Sequence, residues 1–220
     1  MKSHEKEIEV SRLVRVSTDH FNPLAKLPCG CTVDHVRQAM NDYLDFLETI
    51  NQKLVSNSVP RLESILMPAN FSSIVGEFCG ASIPKYCPTI VKNLYHNGHP
   101  DLIPANRFSG DAVQHSDEGI EIKASRYEKN WQGHNAEDCW LMVFVFDSNR
   151  PADPDKGISP RPFKFLKVVG AQLKKSDWKF AGRSAKSRRT ITASVTNPGY
   201  DKMMANWIYQ LPGAFGGKER

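Results

Sequence analysis

Apolar and polar positions follow two different periods along the chain. Val33, Val36, Met40, Tyr43, Leu44, Leu47, Ile50 and Leu54 recur at three- and four-residue spacing, which puts them on one face of a helix. Thr32 is suited to cap its start, and Asp34 complements the partial positive charge of the first turn. The helix should end near Asn57, before Pro60. Phe71, Ile74, Val75 and Phe78 predict a second, shorter helix over 71–79, capped by Asn70 and closed by Gly80. Glu77 lies at the edge of that apolar stripe. The first 30 residues show no such period and read as irregular.

After His99-Pro100 the period shortens to two. Asp101-Leu102-Ile103 and residues 119–125 predict strands. The run Cys139 to Phe146 is eight residues of uninterrupted apolar character and predicts a central strand buried on both faces. Residues 126–138 are long enough for a crossover with a short helix, capped by Asn135 and carrying Glu137 and Asp138 in its first turn. Residues 151–162 read as a surface loop, 163–173, 178–180 and 189–195 as strands, and 201–209 as a terminal helix. This order predicts an α/β core with mixed sheet pairing.

Composition narrows the classes. In 220 residues, 40% are hydrophobic and 10% aromatic, enough for a real core. The longest apolar run falls far short of the about 20 residues that a membrane span needs. Met1 to Val10 is charged and has no apolar h-region, so no secretory signal and no membrane are expected. Five cysteines, an odd number in a chain too large to need disulfide staples, suggest reduced thiols and a cytoplasmic setting.

Charge is unevenly spread. Residues 1–150 hold 15 Lys and Arg against 19 Asp and Glu, whereas residues 151–220 hold 14 against 5. Lys174, Lys175, Lys179, Arg183, Lys186, Arg188 and Arg189 crowd into a stretch whose one acid is Asp177. Together with Trp178 they make a candidate surface for a polyanion, with double-stranded DNA the first expectation. The plainer alternative is a solvated basic face.

The candidate chemistry lies in Ile120-Glu121-Ile122-Lys123-Ala124-Ser125. In a strand, Ile120, Ile122 and Ala124 share the core face, and Glu121 and Lys123 share the other, about 7 Å apart. Asp101, at the start of the preceding strand, approaches Glu121 if the two strands pair. Two converging carboxylates suit Mg²⁺, and a lysine beside them can orient a water or steady charge on a phosphate. Ser125 shares the Lys123 face.

Pro100-Asp101 followed by Glu121-Ile122-Lys123 resembles the signature of the PD-(D/E)xK nuclease superfamily, which includes many type II restriction endonucleases. The resemblance covers roughly residues 70–147. It implies a core in which a helix precedes a strand hairpin bearing these residues, followed by a helix and a further strand. It also implies metal ligation by Asp101 and Glu121, a role for Lys123 at the water, and a matching acid on the first helix, Glu77. The chain is thus expected to be a single domain with a restriction-endonuclease-like core, a mixed central sheet flanked by helices. Residues 1–69 would form an N-terminal helical part, 70–147 the catalytic core and 148–220 a basic strand region.

The expected activity is Mg²⁺-dependent cleavage of DNA phosphodiesters, with a type II restriction endonuclease favoured. The chain carries no visible helicase or ATP motif, so no nucleotide cofactor is expected. Cutting both strands of a symmetric site would call for a homodimer. The alternatives are a structure- or lesion-directed repair or recombination nuclease, and a non-catalytic DNA-binding protein that uses the basic strip alone.

Three other clusters are read as ordinary. Cys29-x-Cys31 with His35 invites zinc, but no second pair follows at suitable spacing, and Cys79 and Cys87 could complete a four-ligand set only through the fold. His96, Asn97 and His99 are read as a polar loop, and Gly133-His134-Asn135 as a turn.

Overall fold

The uninterrupted apolar run becomes the middle of the main sheet because both of its faces are covered. The computed structural model describes residues 2–133, 135–180 and 192–214. Its elements run α1 (Lys2–Ser11), α2 (Val33–Ser56), α3 (Leu62–Ile65), α4 (Pro68–Tyr86), β1 (Ile90–Lys92), β2 (Leu102–Pro104) and β3 (Glu121–Ser125). Then follow β4 (Gln132–Gly133), β5 (Cys139–Asp147), β6 (Lys164–Leu173), β7 (Trp178–Phe180), β8 (Ala193–Val195), α5 (Asn197–Ala205) and β9 (Trp207–Gln210). The main sheet has the order β3-β5-β6-β9; β3 runs parallel to β5, and the other pairs are antiparallel. A hairpin of β1 and β2 and a small sheet β4-β8-β7 stand beside it. The protein is a mixed α/β structure.

Alternation along β5 divides the interior into two cores. Trp140, Met142, Phe144 and Phe146 pack with Met40, Tyr43 and Leu47 of α2 and Phe71, Val75 and Ile83 of α4. Leu141, Val143 and Val145 pack with Trp131, Trp178, Val195 and Met203. A strand with apolar neighbours on both sides has no polar face to show, which accounts for its unbroken sequence.

The long helix α2 has the expected bounds. Thr32 Oγ1 accepts the His35 N–H at 3.3 Å, and the Thr32 N–H donates to His35 Nδ1 at 3.2 Å, closing a reciprocal cap. The second helix differs from the expectation. α4 starts at Pro68, and Gly80 lies within it rather than at its end. Gly76 and Gly80 face the sheet instead, where a Cβ on either would stand 3.6 Å from Ala124 or Ile122. Tertiary contact carries the helix onward: Ile83 is fully buried, and Ser82 and Tyr86 both donate to Asp42 of α2.

Three further expectations are corrected. The irregular N-terminus contains α1, whose anchor is polar: Glu7 pairs with the buried Arg61 at 2.6 Å. Arg61 also binds Glu63, and it donates to Asn149 at 2.8 Å. An ion-pair anchor leaves no apolar period to read. The crossover 126–138 has no helix among its described residues; it carries β4, which pairs with β8, and Asn135, Glu137 and Asp138 lie outside helical structure. Trp131 is buried there, its indole donating to Tyr127 O at 2.8 Å.

The terminal segment splits into α5 and β9. Asn206 ends the helix and donates to Gly170 O at 2.7 Å, so the chain turns to add β9 to β6 and bury Ile208 and Tyr209. Of the strand expected over 189–195, residues 193–195 form β8 and the first three lie outside the described residues. Among the described residues no helix is long and apolar enough to cross a membrane.

Candidate active site

β2 and β3 meet through one backbone bridge. Leu102 and Ile120 exchange hydrogen bonds of 3.0 and 2.8 Å. Gly119 makes this approach possible: its φ is +137°, and a Cβ there would stand 2.1 Å from Leu102 O. The bridge carries Asp101 to β3, where its Oδ2 accepts the Ile122 N–H at 2.7 Å. Ile120, just ahead of β3, and Ile122 and Ala124 on it join the core under α4, as alternation requires. Lys123 Nζ donates to Glu121 Oε1. Asp101, Glu121 and Lys123 are therefore brought together as the sequence suggested.

The three groups perturb one another in different directions. Burial, with the neighbouring Glu121 charge, pushes the Asp101 carboxyl well above its ordinary value. Burial would also raise Glu121, but the hydrogen bond from His99 and the Lys123 ammonium hold it well below the usual range. Burial works to lower Lys123, and Glu121 with Asp101 outweighs it, so the ammonium is held charged.

His99 is the part of the site that the sequence reading passed over. Its Nδ1 lies 3.1 Å from Glu121 Oε2, and its Nε2 lies 3.1 Å from Glu137 Oε2. Its ring centroid stands 5.3 Å from that of His115, and the ligand atoms of His99, His115 and Glu137 lie within 4.8 Å of one another. His96 and Asn97 are exposed, as a polar loop would be. The position of His99 two residues before Asp101 was the available signal; nothing local marks Glu137.

Buried Asn93 shapes the loop between them. Its N–H donates to Asp101 O at 2.9 Å, and its side chain donates to Pro100 O at 3.0 Å and to Val113 O at 2.8 Å.

Asp101 and Lys123 open onto a cleft of about 980 Å³, which Gly76, Glu77, Lys92, Ser125, Tyr127 and Lys129 help to line. Glu77 sits at its edge with 67% of the side chain exposed, paired with Lys92 at 3.2 Å. It raises Asp101 through space but is turned to Lys92 rather than to the Asp101–Glu121 pair. Ser125 Oγ accepts the Tyr127 N–H at 2.9 Å.

The basic candidates divide. Lys174, Lys175 and Lys179 are exposed, and Lys174 Nζ lies 3.6 Å from Asp138. Trp178 is a correction: it is 9% exposed in the second core, and its indole donates to Glu137 O at 2.9 Å, which removes it from any outer surface. Arg183, Lys186, Arg188 and Arg189 lie outside the described residues. Asn130 joins the main cleft to a shallower one of about 510 Å³ that Lys179 and the exposed Phe180 line.

Asp101 and Glu121 offer the hard oxygen donors that Mg²⁺ takes. Their mutual repulsion and burial suit an added cation. Both Glu121 oxygens are engaged, one by Lys123 and one by His99, so a cation at Glu121 takes over one of those contacts. No family model matches the chain, and neither a curated protein nor a solved structure matches it at a significant level.

Proposed function

We propose that the protein is a metal-dependent DNA endonuclease of the PD-(D/E)xK kind, most specifically a type II restriction endonuclease acting on double-stranded DNA as a homodimer. The observation that carries this reading is the convergence of Asp101, Glu121 and Lys123 beside an open cleft, with Asp101 bonded to the backbone between the other two. The order α4, β2, β3, β5 also fits the core that the resemblance implies, whereas the expected hairpin is reduced to the one bridge between Leu102 and Ile120, and β2 pairs with β1. The connection from β3 to β5 departs from it, with β4 in place of a helix.

Asp101 and Glu121 would hold Mg²⁺, which when bound polarises a phosphate and acidifies a water. Lys123 is held charged by Glu121 and faces the same cleft, where its ammonium steadies the anionic phosphate and orients a water. His99 holds the second oxygen of Glu121 and so sets the direction of that carboxylate. Lys179 and Phe180, beyond Asn130, continue the cleft as a path for a phosphate backbone.

The test is incubation of the purified protein with a long duplex of known sequence, with Mg²⁺ and with EDTA. Discrete metal-dependent fragments are expected. A metal-dependent smear would keep the active site and move the role to repair or unspecific cleavage. No cutting on duplex, branched or single-stranded DNA with Mg²⁺ or Mn²⁺ would overturn the proposal.

A further inference from the structure

A second cluster lies away from the β3 carboxylates, where α2 begins and α4 ends. The ligand atoms of Cys31, His35 and Cys87 lie within 4.8 Å of one another. Cys31 and Cys87 are buried, with 6% and 0% exposure, and His35 is half-buried. Each comes from a different structural device. Cys31 closes a turn in which its N–H donates to Pro28 O at 3.0 Å. His35 is the third residue of α2 and part of its cap. Cys87 is the residue that ends α4, its N–H donating to Ile83 O at 3.1 Å.

The backbone of Cys29 runs beside the cluster. The turn 28–31 has both Cys29 and Gly30 at positive φ, +56° and +72°, so the chain wraps back between the two thiols. Thr89 ties the pieces together: its Oγ1 donates to Cys29 O at 2.6 Å and lies 3.2 Å from Cys87 Sγ. All the thiols are reduced. Burial and the Cys87 thiol push both Cys29 and Cys31 up.

We propose that Cys31, His35 and Cys87, with Cys29 in the fourth position, form a structural Zn²⁺ site that clamps the start of α2 to the end of α4. Three sulfurs and an imidazole are the donor set that selects zinc over the hard cations. Tetrahedral zinc with Zn–S near 2.3 Å brings its ligand atoms to about 3.8 Å from one another, so Cys31, His35 and Cys87 must draw together by about 1 Å or less, and the Cys29 thiol, which lies outside that group, must turn in to complete the set. Binding releases one proton from each thiol. His35 meets a condition of its own. Its Nδ1 now accepts the Thr32 N–H, and a neutral imidazole has one free lone pair. Zinc at Nδ1 replaces that hydrogen bond, and zinc at Nε2 moves the proton to Nδ1 and breaks it. The metal bond then replaces that half of the reciprocal cap, and the His35 N–H keeps its bond to Thr32 Oγ1.

Spacing alone could not show this site. Cys29-x-Cys31 is tighter than the usual pair, and Cys87 comes from more than 50 positions away, brought in by helix packing. Cys79, the other distant thiol, is buried in the main core beside α2 and does not take part.

The test starts with wild-type protein purified under reducing conditions and assayed for zinc by mass spectrometry. About one zinc per chain is expected, released by a mercurial thiol reagent. Replacement with Co²⁺ should give a thiolate charge-transfer band in the near ultraviolet and intense visible bands of a tetrahedral site. Cys87→Ser and His35→Gln should each lose most of the metal. Asp101→Ala should keep it, which separates this site from the proposed nuclease centre. Wild-type protein without zinc and without the cobalt–thiolate band would overturn the proposal, whatever the variants do. So would a folded Cys87→Ser protein that keeps full zinc.

Discussion

Asp101 Oδ2 accepts the Ile122 N–H at 2.7 Å, so a carboxylate just ahead of β2 is bonded to the backbone of β3 between Glu121 and Lys123. The bond holds the carboxylate by its shape, whereas its charge is free to act. Asp101→Asn retains an acceptor for Ile122 and loses the negative charge. It should keep the fold and lower metal-dependent cleavage by about 10²–10³-fold or more. Lys123→Ala should do the same. Single-turnover cleavage assays with circular dichroism as a folding control check both, and wild-type rates in Lys123→Ala would remove that residue from the mechanism.

Gly119 makes the meeting of β2 and β3 possible. Gly119→Ala places a methyl group against Leu102 O at a φ that L residues seldom adopt. The expected cost is about 2–3 kcal/mol of stability, with a fall in cleavage because Asp101 shifts with β2. Urea denaturation and cleavage rates on the same sample test the pairing of the two losses.

Arg61 is 1% exposed and joins α1, α3 and the 147–161 region through Glu7, Glu63, Asn149 and Arg161 O. Arg61→Ala strands the fully buried Glu63 carboxylate and should destabilise the protein by about 3–5 kcal/mol. Arg61→Ala with Glu63→Gln should recover part of that loss. Chemical denaturation of the single and double variants measures the coupling.

Asp42 supplies a pH-dependent link between α2 and α4. Burial works to raise its carboxyl, but Ser82, Tyr86 and Lys85 hold it below its ordinary value. A carboxyl lowered in the folded state adds stability above its unfolded value, near pH 4, and loses it as pH falls through the folded value. Asp42→Asn should therefore be less stable than wild type by about 1 kcal/mol at neutral pH. The gap should close on acidification below about pH 4, as the pH falls through the folded value. Thermal unfolding across that range tests the sign.

Lys175 and Lys179 are exposed and not engaged like Trp178 in the core. If they meet phosphates, replacing both by alanine weakens DNA binding and reduces the slope of log affinity against log salt by about 2. Binding titrations at several salt concentrations decide it; an unchanged slope would exclude these lysines from the contact.

What was legible in the sequence is what neighbours along the chain decide. The 3.6-residue stripe of α2 with its Thr32 cap, the apolar run of β5 and the Glu121/Lys123 face of β3 all follow from side-chain direction within one element. Asp101, Glu121 and Lys123 were accessible because two of them share a strand and the third opens the strand before it. The rest depended on contacts between distant segments. Packing on the sheet and Asp42 carried α4 past Gly80, Arg61 held α1, and β6 recruited β9 where a helix was expected. His99 and Glu137 reached the site, and Cys87 reached Cys31, only through the tertiary fold. The sequence by itself determined the periods and caps of the elements, because local sterics and alternation act over a few residues. The tertiary structure alone decided which polar side chains meet, because their pairing energies arise only after the chain has closed around them.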